Sequence, residues 1–194
     1  MTDYYDPHAR LSLSRPILVA GQIGSGTRLI GRTLCARTGL PFVEVDRQIE
    51  HEAGRSLARI ATEDGLNRLA NWSRSVLERL AIQRPWAVVV LDRAWPARES
   101  SSVLRRRFDF VSIQRDPAFL FERVEEVLHS EHHWILTGHE NKLESEHDLE
   151  CLHAERDPLL REAGIMLDAG AQHEHRVASI LLDALEPVAG AERI

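Results

Sequence analysis

A chain of 194 residues with 43% apolar and 28% charged side chains has the makeup of a globular domain long enough to bury a full core. Its formal net charge of −6 leaves no lysine and arginine excess to neutralise phosphates, which argues against a general nucleic-acid binder. No apolar stretch reaches the ~18–20 residues needed to cross a bilayer, and the two distant cysteines, Cys35 and Cys151, fit a reducing cytoplasm better than a disulfide framework.

The polar opening, residues 1–14, lacks the apolar centre of a signal peptide and is expected to be a flexible leader before a single domain over 15–194. Strand-like runs follow at 17–20, 42–45, 86–91, 108–113 and 165–167, with helical patterns between them. That alternation predicts an α/β sandwich: a parallel sheet covered on both faces by helices, with ligands bound beyond the carboxyl ends of the strands. The first helix should run to about Thr38, stopped by Gly39 and Pro41. Cys35 falls on it as a small core hydrophobe. The basic run 105–107 reads as a solvated helix end, and Asp116 with Pro117 as the start of another helix. Residues 130–147 are polar and contain Gly138, the pattern of a lid-like flap.

Between the first strand and the first helix lies GQIGSGTR, residues 21–28. Gly21, Gly24 and Gly26 have the spacing that lets backbone N–H groups wrap a phosphate at a helix N-terminus. Ser25, Gly26, Thr27 and Arg28 complete the candidate nucleotide-binding set. Yet the pattern G-x-x-x-x-G-K-[ST] asks for a lysine and a hydroxyl where Thr27 and Arg28 stand. Thr27 has no charge, and Arg28 cannot ligate a metal. One step along a helix turns a side chain by ~100°, so Arg28 is a poor positional substitute for the lysine unless its stem reaches back. Three readings stand: a turn that binds nothing, an anion or nucleotide site without efficient transfer, and transfer by rearranged parts. The run VVVLD at 88–92 ends in an acid as a metal-holding strand does, so Asp92 either reaches Mg²⁺ through water or simply ends a buried strand.

With these residues in view, the chain resembles the shikimate kinases over roughly residues 15–186. The resemblance is carried by residues 21–50, by FDFVSIQRDPAFLFERV at 108–124, and by LHAERDPLLREAGIMLDAGAQHEHRVASILLDAL at 152–185. It implies a five-stranded parallel sheet, a substrate-binding region and a closing lid. It also implies transfer of the γ-phosphoryl group of ATP to the 3-hydroxyl of shikimate with Mg²⁺. The family's D-x-D corresponds to Glu44, on the metal side, and Asp46, which would bind substrate hydroxyls and serve as candidate base; Asp46 could equally cap a helix starting at Arg47. Arg156 matches a late substrate-binding arginine. Other motifs depart from the pattern. The F-R-x-x-E arginine, which grips the shikimate carboxylate, falls among Leu69, Ala70 and Ser73. The glycine triplet after the third strand becomes Asp92, Arg93 and Ala94, and His133 stands where the lid places an ATP-contacting arginine.

Six of the ten histidines lie between 129 and 153. His129 and His133 have the i,i+4 spacing of a Zn²⁺ or Ni²⁺ chelate, with Glu131 and Glu140 as further donors; a solvated polar lid is the plain alternative. Trp134 would pack that flap on the body, and Trp72, Trp86 and Trp95 offer either interface or core area.

Three functions follow as expectations. The first is a nucleotide-, anion- or small-molecule-binding or regulatory module that has lost efficient transfer. The second is an active small-molecule kinase using ATP, with Asp46 and Arg28 catalytic and Glu44 and Asp92 holding Mg²⁺. The third is a scaffold for a protein partner. A membrane or nucleic-acid partner is not expected.

Overall fold

The computed structural model describes residues 13–96, 101–128 and 146–190. Strands β1 (Ile17–Gly21), β2 (Phe42–Glu44), β3 (Val88–Leu91), β4 (Asp109–Gln114) and β5 (Ile165–Asp168) form one sheet in the order β2-β3-β1-β4-β5. Every pairing is parallel. All the strands expected from the sequence are present, with shifted ends. Val45 opens a helix and does not close β2, and β3 starts after Trp86 and Ala87.

The helices are α1 (Thr27–Thr38), α2 (Val45–Ala53), α3 (Leu57–Asp64), α4 (Leu66–Leu80), α5 (Ser101–Arg107), α6 (Pro117–Leu128), α7 (Glu146–Leu160) and α8 (Glu174–Gly190). A parallel sheet covered on both faces needs apolar side chains at both parities of each strand. Leu18, Ala20, Val89, Leu91 and Phe110 face the core shared with α2, α3 and α4. Ile17, Val19, Val88, Val90, Val111 and Ile113 face the core shared with α1 and α8. A smaller cluster of Ile23, Leu120, Val124 and Leu149 ties the loop after β1 to α6 and α7.

Local punctuation falls where the chain dictates it. Gly39, at φ +71°, ends α1 and donates its N–H to the Cys35 carbonyl at 2.9 Å. Cys35 packs half-buried against the core, its thiol pushed up to about 12 by burial. Arg105, Arg106 and Arg107 are exposed in the last turn of α5. Arg68, Arg84 and Arg156 lie over the rings of Trp72, Trp86 and Trp95, so these tryptophans pack in the body under arginine covers. Leu13, from the expected leader, packs on the α1–α8 core. Residues 129–145 hold most of the expected flap, including His129, Glu131, His133, Trp134, His139 and Glu140. They lie outside the described residues, as do residues 1–12. Among the described residues, no helix is long and apolar enough to cross a membrane.

Gly31 sets how closely α1 approaches the sheet. A Cβ there would stand 2.5 Å from Val90 Cγ2 and 3.1 Å from the Phe42 ring. Gly31→Val is therefore expected to overpack this contact and cost about 1–3 kcal/mol. Urea unfolding followed by circular dichroism would measure it; an unchanged midpoint would show that α1 can slide outward freely.

Candidate active site

β1 runs between β3 and β4 and delivers the glycine loop to the point where the strand order reverses, the usual place for a ligand crevice. Gly24 and Gly26 have φ of +85° and +78°, a region that residues with a Cβ rarely adopt. Gly21 allows a close approach: a Cβ on it would meet Ser25 Oγ at 2.5 Å and the Ile113 carbonyl at 2.9 Å. The turn expected from the glycine spacing is therefore built. Ser25 and Thr27 are buried, and the Ser25 hydroxyl has no hydrogen-bond partner.

Three supports of this loop were not singled out from the sequence. Arg115, just after β4, donates from Nε to the Ser25 carbonyl at 3.2 Å. Gln22 donates from Nε2 to the His153 carbonyl at 3.0 Å and to Asp157, tying the loop to α7. Glu174, the first residue of α8 and 3% exposed, lays its carboxylate against Gly26, where an added Cβ would lie 2.5 Å from Oε1. Burial alone would raise the Glu174 carboxyl, but its own backbone N–H, Arg123 and Arg115 outweigh this and hold it below the usual range. The only signal for Gln22 and Arg115 in the sequence was their position just past a strand's carboxyl end.

A cavity of about 340 Å³ opens beside the loop at the ends of β2 and β3, and Arg28, Glu44, Asp46 and Asp92 all line it. Arg28 does not reach back over the loop. Its Nε pairs with Glu44 Oε1, while Arg32 Nη2 and Arg47 Nε approach Glu44 Oε2 at 3.3 and 3.2 Å. Asp46, 5% exposed, does not cap a helix from Arg47: α2 begins at Val45, placing Asp46 in its first turn. Its Oδ2 accepts from Arg93 N at 3.2 Å and Arg93 Nε at 3.0 Å, and its Oδ1 accepts from Ala94 N at 3.0 Å. Asp92 is half-buried, and burial, with the Asp46 charge adding to it, raises its carboxyl pKa. Arg156 stacks on Trp95 and reaches the Asp92 carbonyl from Nη1 at 3.5 Å. The structure thus gathers the glycine loop, Arg28, Glu44, Asp46, Asp92 and Arg156 into one region; His133 lies outside the described residues.

Mg²⁺ demands oxygen ligands in near-octahedral geometry. Both Glu44 oxygens are engaged by guanidinium groups and both Asp46 oxygens by hydrogen-bond donors. The residue in the hydroxyl position is Arg28, which cannot ligate a metal, and burial raises the pKa of the remaining carboxyl, Asp92. Among the described residues, no group of three or more His, Cys, Asp or Glu side chains is arranged to hold a metal ion. These residues do not fit a divalent cation.

Two outcomes follow from this packing. Asp46→Asn keeps the shape but cannot accept all three hydrogen bonds, so it should cost about 1.5–3 kcal/mol in urea unfolding, the scale for bonds to a charged group; a neutral effect would make the contact incidental. His153 is 8% exposed, and burial, then Arg156, lowers its pKa from 6.5 to about 4. The fold holds its imidazole neutral, so its contribution is complete above pH 6.5 and is lost as pH falls through about 4. The stability advantage of the wild type over His153→Gln should shrink by up to about 3 kcal/mol across that window. A pH-independent difference between the two proteins would rule this out.

The model of the family described as "Shikimate kinase" matches residues 23–186. Shikimate kinase of Zymomonas mobilis is 29% identical over 169 residues, 87% of this chain and 92% of the relative. That of Nitrosococcus oceani is 31% identical over 176 residues, 90% of this chain and 88% of the relative. Among solved structures, shikimate kinase from Acinetobacter baumannii in complex with shikimate superposes with a TM-score of 0.74 at 19% identity, covering 95% of this chain and 98% of the other. Shikimate kinase from Aquifex aeolicus gives 0.72 at 19% identity, covering 90% and 98%. With the parallel five-stranded sheet and the glycine loop at its switch point, these matches place the chain in the shikimate kinase family.

Proposed function

We propose that this chain uses the family's fold to bind a nucleotide or another small anion and has lost efficient phosphoryl transfer from ATP to a hydroxyl acceptor. The observation that carries this reading is the pair Thr27 and Arg28 in the phosphate loop, with Arg28 committed to Glu44. Phosphoryl transfer depends on positioned charge, and each missing group of that kind commonly costs ~10²–10³ in rate. The glycines support retained binding, because the backbone turn that would cradle a phosphate is intact. On the acceptor side, Asp46 is occupied by Arg93 and Ala94, and Arg156 stands beside Asp92.

A second reading, a small-molecule kinase with rearranged parts, draws on Asp46 and Asp92 lining one cavity and on Arg156 reaching the Asp92 carbonyl. Calorimetric titration with ATP and ADP, paired with a coupled assay of ADP release in the presence of shikimate and Mg²⁺, separates the two. Saturable nucleotide binding with turnover at least ~10³-fold below that of an intact family member is expected. Turnover at the rate of an intact enzyme would establish the kinase reading in its place. Absence of any nucleotide or shikimate binding would leave the fold as a partner-binding scaffold.

A further inference from the structure

Arg115, Arg123 and Glu174 flank the glycine loop outside the cavity at β2 and β3. The Arg115 side chain is wholly buried and fixed by three backbone carbonyls. Its Nε donates to Ser25 at 3.2 Å, and its Nη1 donates to Gly170 at 3.5 Å and to Gln172. Arg115 lies over the Phe119 ring at 4.9 Å and Arg123 over the same ring at 5.3 Å. Two guanidinium groups gathered at one ring repel each other unless a negative charge stands with them. Glu174 Oε1 supplies that charge. It pairs with Arg123 Nη1 and stands 3.9 Å from Arg115 Nη2, a buried donor with no hydrogen bond of its own.

The same carboxylate faces the loop. α1 starts at Thr27 with Gly26 as its N-cap, with no side-chain hydrogen bond at that cap and no acidic residue in its first turn. A helix N-terminus carries partial positive charge, which an anion from the chain or from a ligand can meet. Glu174 comes from another helix and packs tightly on Gly26: a Cβ there would stand 2.7 Å from its Cγ and 3.0 Å from its Cδ. Thr27 brings no charge to the loop, and Arg28 is paired with Glu44. The end of α1, Arg115 and Arg123 are therefore the positive charge on this flank, and one carboxylate answers all three.

We propose that Glu174 is an internal anion of the glycine loop, which competes for the charge that a phosphate-bearing ligand would meet and so sets how tightly the loop holds it. The proposal rests on the reading of the loop as a nucleotide or anion site and names what regulates it. Its direction is definite: neutralising Glu174 tightens binding.

The test is calorimetric titration of the whole protein with inorganic pyrophosphate and, separately, with ATP. Glu174→Gln keeps the shape and removes the charge, so it should bind pyrophosphate at least ~10-fold more tightly than the wild type, the order for one charge removed from a partly buried site. Arg123→Gln leaves Glu174 with one cation fewer and should bind at least ~10-fold more weakly. Glu122→Gln, exposed on α6 beside Arg123, makes the same change in net charge and should stay within about twofold of the wild type. A carboxylate that merely props Gly26 gives the opposite result, because its loss loosens the loop and weakens binding. Glu174→Gln that binds no more tightly than the wild type, or gains no more than Glu122→Gln, would overturn the proposal. If circular dichroism shows that Glu174→Gln does not fold, Arg123→Gln decides: weaker binding upholds the proposal and unchanged binding sinks it. ATP keeps the two readings apart. Equal ATP binding by the wild type and Glu174→Gln removes the role of Glu174 and leaves the nucleotide reading intact, whereas no binding of either ligand to any of these proteins removes both.

Discussion

The burial of β1 between β3 and β4 governs the rest of the molecule. With neighbours on both edges and helices on both faces, its residues have no exposed side, and the chain must leave through the carboxyl end of the sheet. It does so in a turn so tight that Ser25 and the Ile113 carbonyl occupy the space of a Gly21 side chain. The N-terminus of α1 is thereby fixed beside the ends of β2 and β3, and Gly31 lets α1 close down on Val90 and Phe42. Everything at the candidate site hangs from that placement.

Within this frame, backbone and charged side chains are organised separately. The backbone forms a tight loop with two glycines at positive φ at a helix N-terminus, held from behind by Arg115 and from the side by Gln22. The charged side chains form a different network. Arg28, Arg32 and Arg47 converge on Glu44, and Arg93 and Ala94 saturate Asp46. A carboxylate in low-dielectric surroundings needs partners, and arginines supplied by the chain meet that need here. Glu174, set against Gly26 between Arg115 and Arg123, extends this arrangement to the other flank of the loop.

Membership of the shikimate kinase family settles the architecture and leaves the chemistry to the site, because the same fold supports whatever its loop ends and pocket walls provide. Arg93, standing where the family resemblance places a glycine, is the clearest case. It brings a positive charge into the cavity and pairs with Asp46.

The sequence by itself determined the five strands, the parallel α/β architecture, the glycine turn, the stop of α1 at Gly39 and the start of α6 at Pro117. These follow from local rules: strands buried on both faces must be continuously apolar, and glycine and proline mark turns and helix ends. It also placed Thr27 and Arg28 where the pattern G-x-x-x-x-G-K-[ST] asks for a lysine and a hydroxyl. Only the tertiary structure decided what the remaining charges do. Arg28 could have reached back over the loop, and Asp46 could have capped a helix or faced a substrate. Their partners, Glu44 for one and Arg93 for the other, are set by strand order and by how α1 and α2 seat on the sheet. Ion-pair choice depends on distances across elements remote in sequence, and those distances exist only once the sheet has formed.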